Sequence, residues 1–332
     1  MDTFSLVLVI GAALLFTCTN GFHDSANALA TSVSTRALTP RVALAMASFM
    51  NLAGAFLGSE VARTVSEGLI APQTGSHGMT ILFSALVGAL AWNLLTWRRG
   101  LPSSSSLALV GGLVGAALAG AGTVHWDGVV TKVVLPMFLF PVVGLLLGRL
   151  AMVALLWTFR DAHPGRAKRG FRMAQTVSAA GMALGHGLQD AQKTMGVVVM
   201  ALVISGTAGE GEPIPLWVKL LCAVALALGT YAGGWRTLRG TGRSVIKLDP
   251  PRGFAAETTA ASVMYAASYI FHAPISTTHV ITSAIMGVGA TRRLSAVRWG
   301  VAKHLVTGWF VTMPAAAVIA AGAYGALRLL LG

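Results

Sequence analysis

Residues 4–33 read FSLVLVIGAALLFTCTNGFHDSANALATSV, an apolar run that carries His23, Asp24 and Asn27 in its second half. About 20 apolar residues span the hydrocarbon core of a bilayer, so this run is long enough to cross. A carboxylate at membrane depth costs a few kcal/mol even on lenient insertion scales, and such a group faces a cavity or a partner. Asp24 therefore reads either as a site residue or as an acid paired to a neighbouring helix for packing. Farther along, His186-Gly187-Leu188-Gln189-Asp190-Ala191-Gln192-Lys193 repeats the arrangement inside the apolar stretch 173–205.

Outward from these two stretches the chain is apolar almost throughout. Hydrophobic residues make up 55% of its 332 positions and charged residues 11%, with a mean hydropathy of +0.72. Soluble domains carry about a quarter charged residues, so the missing charge points to lipid as the main solvent. Apolar runs predict spans near 4–33, 42–62, 80–97, 103–122 and 130–158, then 173–205, 216–235, 255–272, 275–290 and 299–327. The expected class is an all-α polytopic membrane protein. No loop is long enough for a soluble domain. The start, Met1-Asp2-Thr3, lacks a basic stretch, so the first run is expected to be retained as a span.

The net charge of +13 does not imply nucleic acid, because the basic residues lie in short blocks between apolar runs. Over ten spans, 17 Lys and Arg fall on the side of the 160–172 loop and 4 on the other. That asymmetry predicts a cytoplasmic location for the basic loops. Arg outnumbers Lys 18 to 6, which points to a GC-rich bacterial genome, and the expected location is the bacterial plasma membrane. Cys18 and Cys222 lie singly in apolar runs, which offers no metal spacing and no disulfide framework. No organic cofactor is expected.

A second pair of matched motifs follows the first. Pro102-Ser103-Ser104-Ser105-Ser106 corresponds to Pro274-Ile275-Ser276-Thr277-Thr278-His279, Lys132 to Lys303 and Pro141 to Pro314. With Asp24 and Asp190, the offsets are 166, 172, 171 and 173 residues. A near-constant offset over unlike motifs indicates an internal repeat. The halves are read as 1–159 and 173–332, joined by a basic linker at 160–172. Five spans per half is odd, so the second half enters from the opposite face, as an inverted-topology repeat.

Proline followed by hydroxyl residues signals a helix start. Inside a membrane such a start offers free N–H groups and a positive dipole end to an anion. Two of them, in inverted repeats, would address one anion from opposite sides. Alternatively, the small hydroxyl residues let helices pack closely. Gly111, Gly112 and Gly115 read as close packing, whereas Gly21, Gly185 and Gly187 beside the acids suggest helix breaks. Lys193 either neutralises Asp190 or meets the anion. Asn27 and Gln192 offer donors and acceptors. Glu257, at the cytoplasmic start of a span, is a further acid. His23, His186 and His279 read either as proton-carrying groups or as hydrogen-bonded structural histidines.

At these motifs the chain resembles the inorganic phosphate transporter (PiT) family, most of all its bacterial low-affinity members, over nearly its whole length. The resemblance implies a homodimer, broken helices and re-entrant hairpins around a midplane phosphate, and symport with H⁺ or Na⁺. By position it assigns Asp24, Asn27 and Asp190 to the cation and phosphate site, with Na⁺ on Asp24 and Asp190 if sodium couples. Ser104, Ser105, Ser106, Ser276, Thr277 and Thr278 supply donors to phosphate, with Gln192 and Lys193 beside them. Glu257 matches a family glutamate whose first-repeat counterpart here is Asn51. The chain departs from the family at Leu107, where His is frequent, and at Gln189, where Asn is usual. The expected function is import of inorganic phosphate, alone or as a metal–phosphate complex. A sulfate or other oxyanion permease on the same fold and an uncoupled anion channel remain alternatives. A membrane enzyme is disfavoured, because no nucleophile–base–metal set is evident.

Overall fold

A computed structural model describes residues 3–71, 74–101, 103–240, 248–291, 297 and 299–331, and their side chains except 25–28, 164, 234–240, 301, 304, 305 and 331. The chain is helical. In order come α1 (Thr3–Ser34), α2 (Pro40–Gly54), α3 (Glu60–Gly68), α4 (Ser76–Arg99) and α5 (Ser105–Ala119). A short α6 (Trp126–Gly128) passes through a π-helical turn (Val129–Val134) into α7 (Leu135–Thr158). Then follow α8 (Pro164–Ile204), α9 (Leu216–Gly240), α10 (Pro250–Tyr269), α11 (Thr277–Ala290) and α12 (Trp299–Leu331). The only strands among the described residues are two-residue segments, Ile70–Ala71 and Thr123–Val124, paired antiparallel.

Among the described residues, five helical stretches are long and apolar enough to cross a membrane: Thr3–Ser34, Ser76–Arg99, Trp126–Thr158, Leu216–Gly233 and Val306–Leu330. Three of the ten expected spans do not form full-length helices. The 42–62 run breaks at residues 55–59 between α2 and α3. At 15 and 14 residues, α5 and α11 rise about 22 Å, short of a hydrocarbon layer of about 30 Å. The 160–172 stretch, expected as a loop, is helical from Pro164, because α8 runs unbroken for 41 residues. At about 60 Å, α8 is twice as long as a crossing needs, so its basic first turns extend beyond the apolar part.

The expected breaks at Gly21, Gly185 and Gly187 do not occur. Both α1 and α8 continue through them. Gly21 and Gly187 instead mark close approach of backbone, whereas Gly185 faces only the Met264 and Tyr265 side chains. A Cβ at Gly187 would meet the Asn51 carbonyl, and one at Gly21 would lie 2.8 Å from Thr230 N.

The short helices are wrapped by long ones from the far end of the sequence. Helix α5 packs on α12, and α11 packs on α7. Pro141 and Pro314 lie inside α7 and α12 respectively. Small residues allow both contacts. The interior centres on α5, whose residues 105–117 are all buried, together with α4, α8 and α12.

Candidate functional site

The site forms where α5 and α11 begin. Ser104 caps α5 by accepting from Leu107 N at 3.3 Å, and Ser276 caps α11 by accepting from His279 N at 3.4 Å. The Ser104 hydroxyl in turn donates to Ser276 Oγ at 2.9 Å. Two helix N-termini therefore face one another in the protein interior. Each contributes orphan N–H groups and a partial positive charge, and the two together favour a negative charge between them.

The hydroxyls after each cap reach across to the two acids. On α1, Asp24 is 3% exposed and accepts from Ser105 at 2.5 Å, from Thr278 at 3.0 Å, and lies 3.0 Å from His23 Nδ1. Each short helix thus sends one hydroxyl to the same carboxylate. On α8, Asp190 is fully buried and is held differently. Lys193 Nζ donates to its Oδ1 at 2.5 Å, and Thr277 donates to Oδ2 at 3.4 Å. His186 Nε2 lies 2.9 Å from Oδ2, an ion-pair distance, while its Nδ1 meets Asn51 Oδ1 at 3.1 Å. One oxygen or nitrogen from each of Asp24, His186 and Asp190 falls within 4.8 Å of the others. The two acids read from sequence are one cluster.

Lys193 is 2% exposed and has three oxygen partners: Asp190 Oδ1, Ser106 Oγ at 2.6 Å and the Ile275 carbonyl at 2.6 Å. Ser106 also bonds the Ile275 carbonyl at 3.2 Å. The stretch before α11 is fixed by Gln189, which donates to Ala273 O at 3.2 Å and Ser268 at 2.8 Å and accepts from Ile275 N at 3.3 Å. The departure at Gln189 is therefore structural here, in that a longer amide reaches the α11 approach. Leu107 is buried and its side chain joins the interior around α5. His279 is 1% exposed, stacks on Trp309 at 3.9 Å between ring centroids, and has no hydrogen-bond partner for either ring nitrogen among the described residues.

Two expected residues sit elsewhere. Gln192 accepts from Val61 N at 3.0 Å and Ala62 N at 3.4 Å, so its carbonyl closes the first turn of α3 rather than facing the serine clusters. Glu257 is fully buried but stands apart from the aspartates. Its Oε1 accepts from Thr31 and Ser32 at 2.6 Å each and from Gln175 at 3.1 Å, and its Oε2 accepts from Ser178 at 2.6 Å. Sequence reading missed these four partners. The available signal was polar side chains in otherwise apolar runs, with Thr31 beside Ser32 and Gln175 one helical turn from Ser178. The Asn27 side chain and Pro102 lie outside the described residues.

Comparison with known proteins finds relatives over nearly the whole chain. A protein of Rhizobium meliloti named "Probable low-affinity inorganic phosphate transporter" is 46% identical over 98% of this chain and 97% of its own. One of the same name from Bacillus subtilis is 40% identical over the same shares. Among solved structures, one titled "The sodium-dependent phosphate transporter" superposes with a TM-score of 0.90 at 25% identity, covering 99% of this chain and 100% of that one. The model of the phosphate transporter family matches residues 20–320. The chain is an all-α polytopic membrane protein and belongs to the phosphate transporter family.

Proposed function

We propose that the chain imports inorganic phosphate by symport with a monovalent cation, H⁺ or Na⁺, and that the anion binds between the N-termini of α5 and α11. The observation that carries this reading is the Ser104–Ser276 contact flanked by Asp24, to which both short helices send a hydroxyl. Ser104, Ser105, Ser106, Ser276, Thr277 and Thr278 are the phosphate donors, and Asn27 of α1 is assigned to the same anion. Asp24 takes the coupling cation. A divalent anion next to a buried carboxylate needs compensating positive charge, which ties anion entry to cation entry. Phosphate at neutral pH keeps a donor proton that a carboxylate accepts, and sulfate does not, so Asp24 favours phosphate over sulfate. Glu257, ringed by hydroxyls and an amide, serves as a second cation or proton position along the same path.

The halves 1–159 and 173–332 act as inverted repeats that rock around the fixed site. Support comes from the matched caps and from the exchange in which α5 packs on α12 while α11 packs on α7. The protein works as a homodimer in the bacterial plasma membrane, with the basic end of α8 in the cytoplasm.

A second reading has phosphate travelling with a divalent metal. The Asp24, His186 and Asp190 cluster favours it, because two carboxylates and an imidazole suit such an ion.

The test is radiolabelled phosphate uptake into proteoliposomes with proton and sodium gradients imposed separately. Sulfate serves as competitor and a divalent-ion chelator as a further arm. Uptake driven by one gradient and indifferent to sulfate supports the symporter and names its cation. Loss of uptake on chelation favours metal–phosphate. Flux insensitive to both gradients rules out symport.

A further inference from the structure

Lys193 was expected either to neutralise Asp190 or to touch the anion. Its geometry resembles that of a bound ion. The ammonium has three N–H donors, and it has three oxygen partners at 2.5–2.6 Å: a carboxylate, a hydroxyl and a main-chain carbonyl. The carbonyl belongs to Ile275, in the non-helical segment just before the Ser276 cap. Carboxylate oxygens, hydroxyls and unwound carbonyls at a broken helix are the ligands that transporters present to monovalent cations. Both repeats contribute, since Ser106 comes from the first and Asp190 and Ile275 from the second. With all three donors engaged, Lys193 gives the site charge and no free hydrogen bond.

We propose that Lys193 is a resident cation, an ammonium tethered in a monovalent-cation position formed by Asp190 Oδ1, Ser106 Oγ and the Ile275 carbonyl, which lowers the number of coupling cations needed per phosphate by one. The proposal rests on the reading of this site as a phosphate–cation symporter. The two aspartates then differ in role. Asp24, held by hydroxyls and His23, is left to the mobile cation, whereas Asp190 is neutralised throughout the cycle. The requirement for charge compensation is unchanged. It is met partly by the polypeptide and only in the remainder by the gradient.

Truncation converts the tethered position into an open one. In Lys193→Ala, Asp190, Ser106 and the Ile275 carbonyl face a gap the size of the missing side chain. Radiolabelled phosphate uptake is measured in proteoliposomes of wild type, K193A and K193R across a series of Na⁺ and, separately, methylammonium concentrations. At low cation, K193A uptake is expected to fall about tenfold or more below wild type, because a buried carboxylate has lost its partner. It is expected to recover saturably as either cation rises, with one more cation in its concentration dependence than wild type. K193R, which keeps a tethered charge, is slower but retains the wild-type order.

K193A with the wild-type cation order overturns the proposal. So does K193A that is folded yet inactive at every Na⁺ and methylammonium concentration. If K193A is unstable in low cation, its melting temperature in detergent is followed over the same series. A saturable rise beyond that of wild type supports the proposal, and no such rise overturns it. Failure of wild type to take up phosphate would instead defeat the symport reading itself.

Discussion

Ser104 and Ser276, 172 positions apart, meet through a 2.9 Å hydrogen bond while each caps its own helix. One contact therefore fixes where α5 and α11 start and how far apart their positive ends stand. Replacing either serine by alanine removes a cap worth about 1 kcal/mol. Because the two hydroxyls touch, the double variant is expected to deviate from the sum of the singles by about 0.5 kcal/mol or more. The check is a thermal-denaturation cycle in detergent, paired with the KM for phosphate, which is expected to rise most in the double variant.

The two aspartates are expected to separate on mutation. Asp24→Asn keeps shape and loses charge, so gradient-driven uptake is lost while the protein stays folded. Asp190→Asn leaves Lys193 buried with its charge uncompensated, at a cost of about 3–5 kcal/mol. Melting curves for the two variants, read beside uptake, test the contrast. Equal destabilisation would show that the Lys193 pair holds the fold no better than the hydroxyls around Asp24.

Glu257 collects hydrogen bonds from Thr31, Ser32, Gln175 and Ser178. Glu257→Ala removes an acceptor shared by four buried side chains and is expected to cost about 3 kcal/mol or more. Glu257→Gln keeps one acceptor oxygen and is expected to be milder in stability while still impairing coupled uptake. A Gln variant with the wild-type cation dependence would remove Glu257 from the cation path.

Gln192 is expected to behave as a structural residue. Gln192→Ala frees the Val61 and Ala62 N–H groups of α3 and is expected to cost about 1–2 kcal/mol. The KM for phosphate should stay within about twofold, against a much larger rise for Ser105→Ala. A KM effect equal to that of Ser105→Ala would return Gln192 to the anion site.

Much of this site was legible in the sequence because costly groups stand out in an apolar chain. Asp24, Asp190 and the two serine clusters were singled out by depth and by matched order, and they meet in space. What was hidden depended on packing between distant segments. Glycine beside Asp24 and Asp190 is compatible with a break or with close approach, and only the positions of Leu226, Thr230 and Asn51 show the latter. Hydropathy reports apolar length without showing where a helix stops, so residues 42–62 read as one span although they contain two helices. Gln192 looked like its neighbour Lys193, yet residues so close on a helix point in different directions, and the amide met α3.

Helices α1 and α8 each contribute to both buried carboxylate sites. Asp24 and the Thr31-Ser32 pair lie on one, and Asp190 and the Gln175-Ser178 pair on the other. Neither helix is interrupted between its two positions. They form two rails joined by two rungs. With no break between the rungs, a sliding displacement of one rail against the other would shift the Glu257 cluster and the aspartate cluster together. The two rungs stand about 18 Å apart along α8, so the rails carry the Glu257 cluster and the aspartate cluster as one frame.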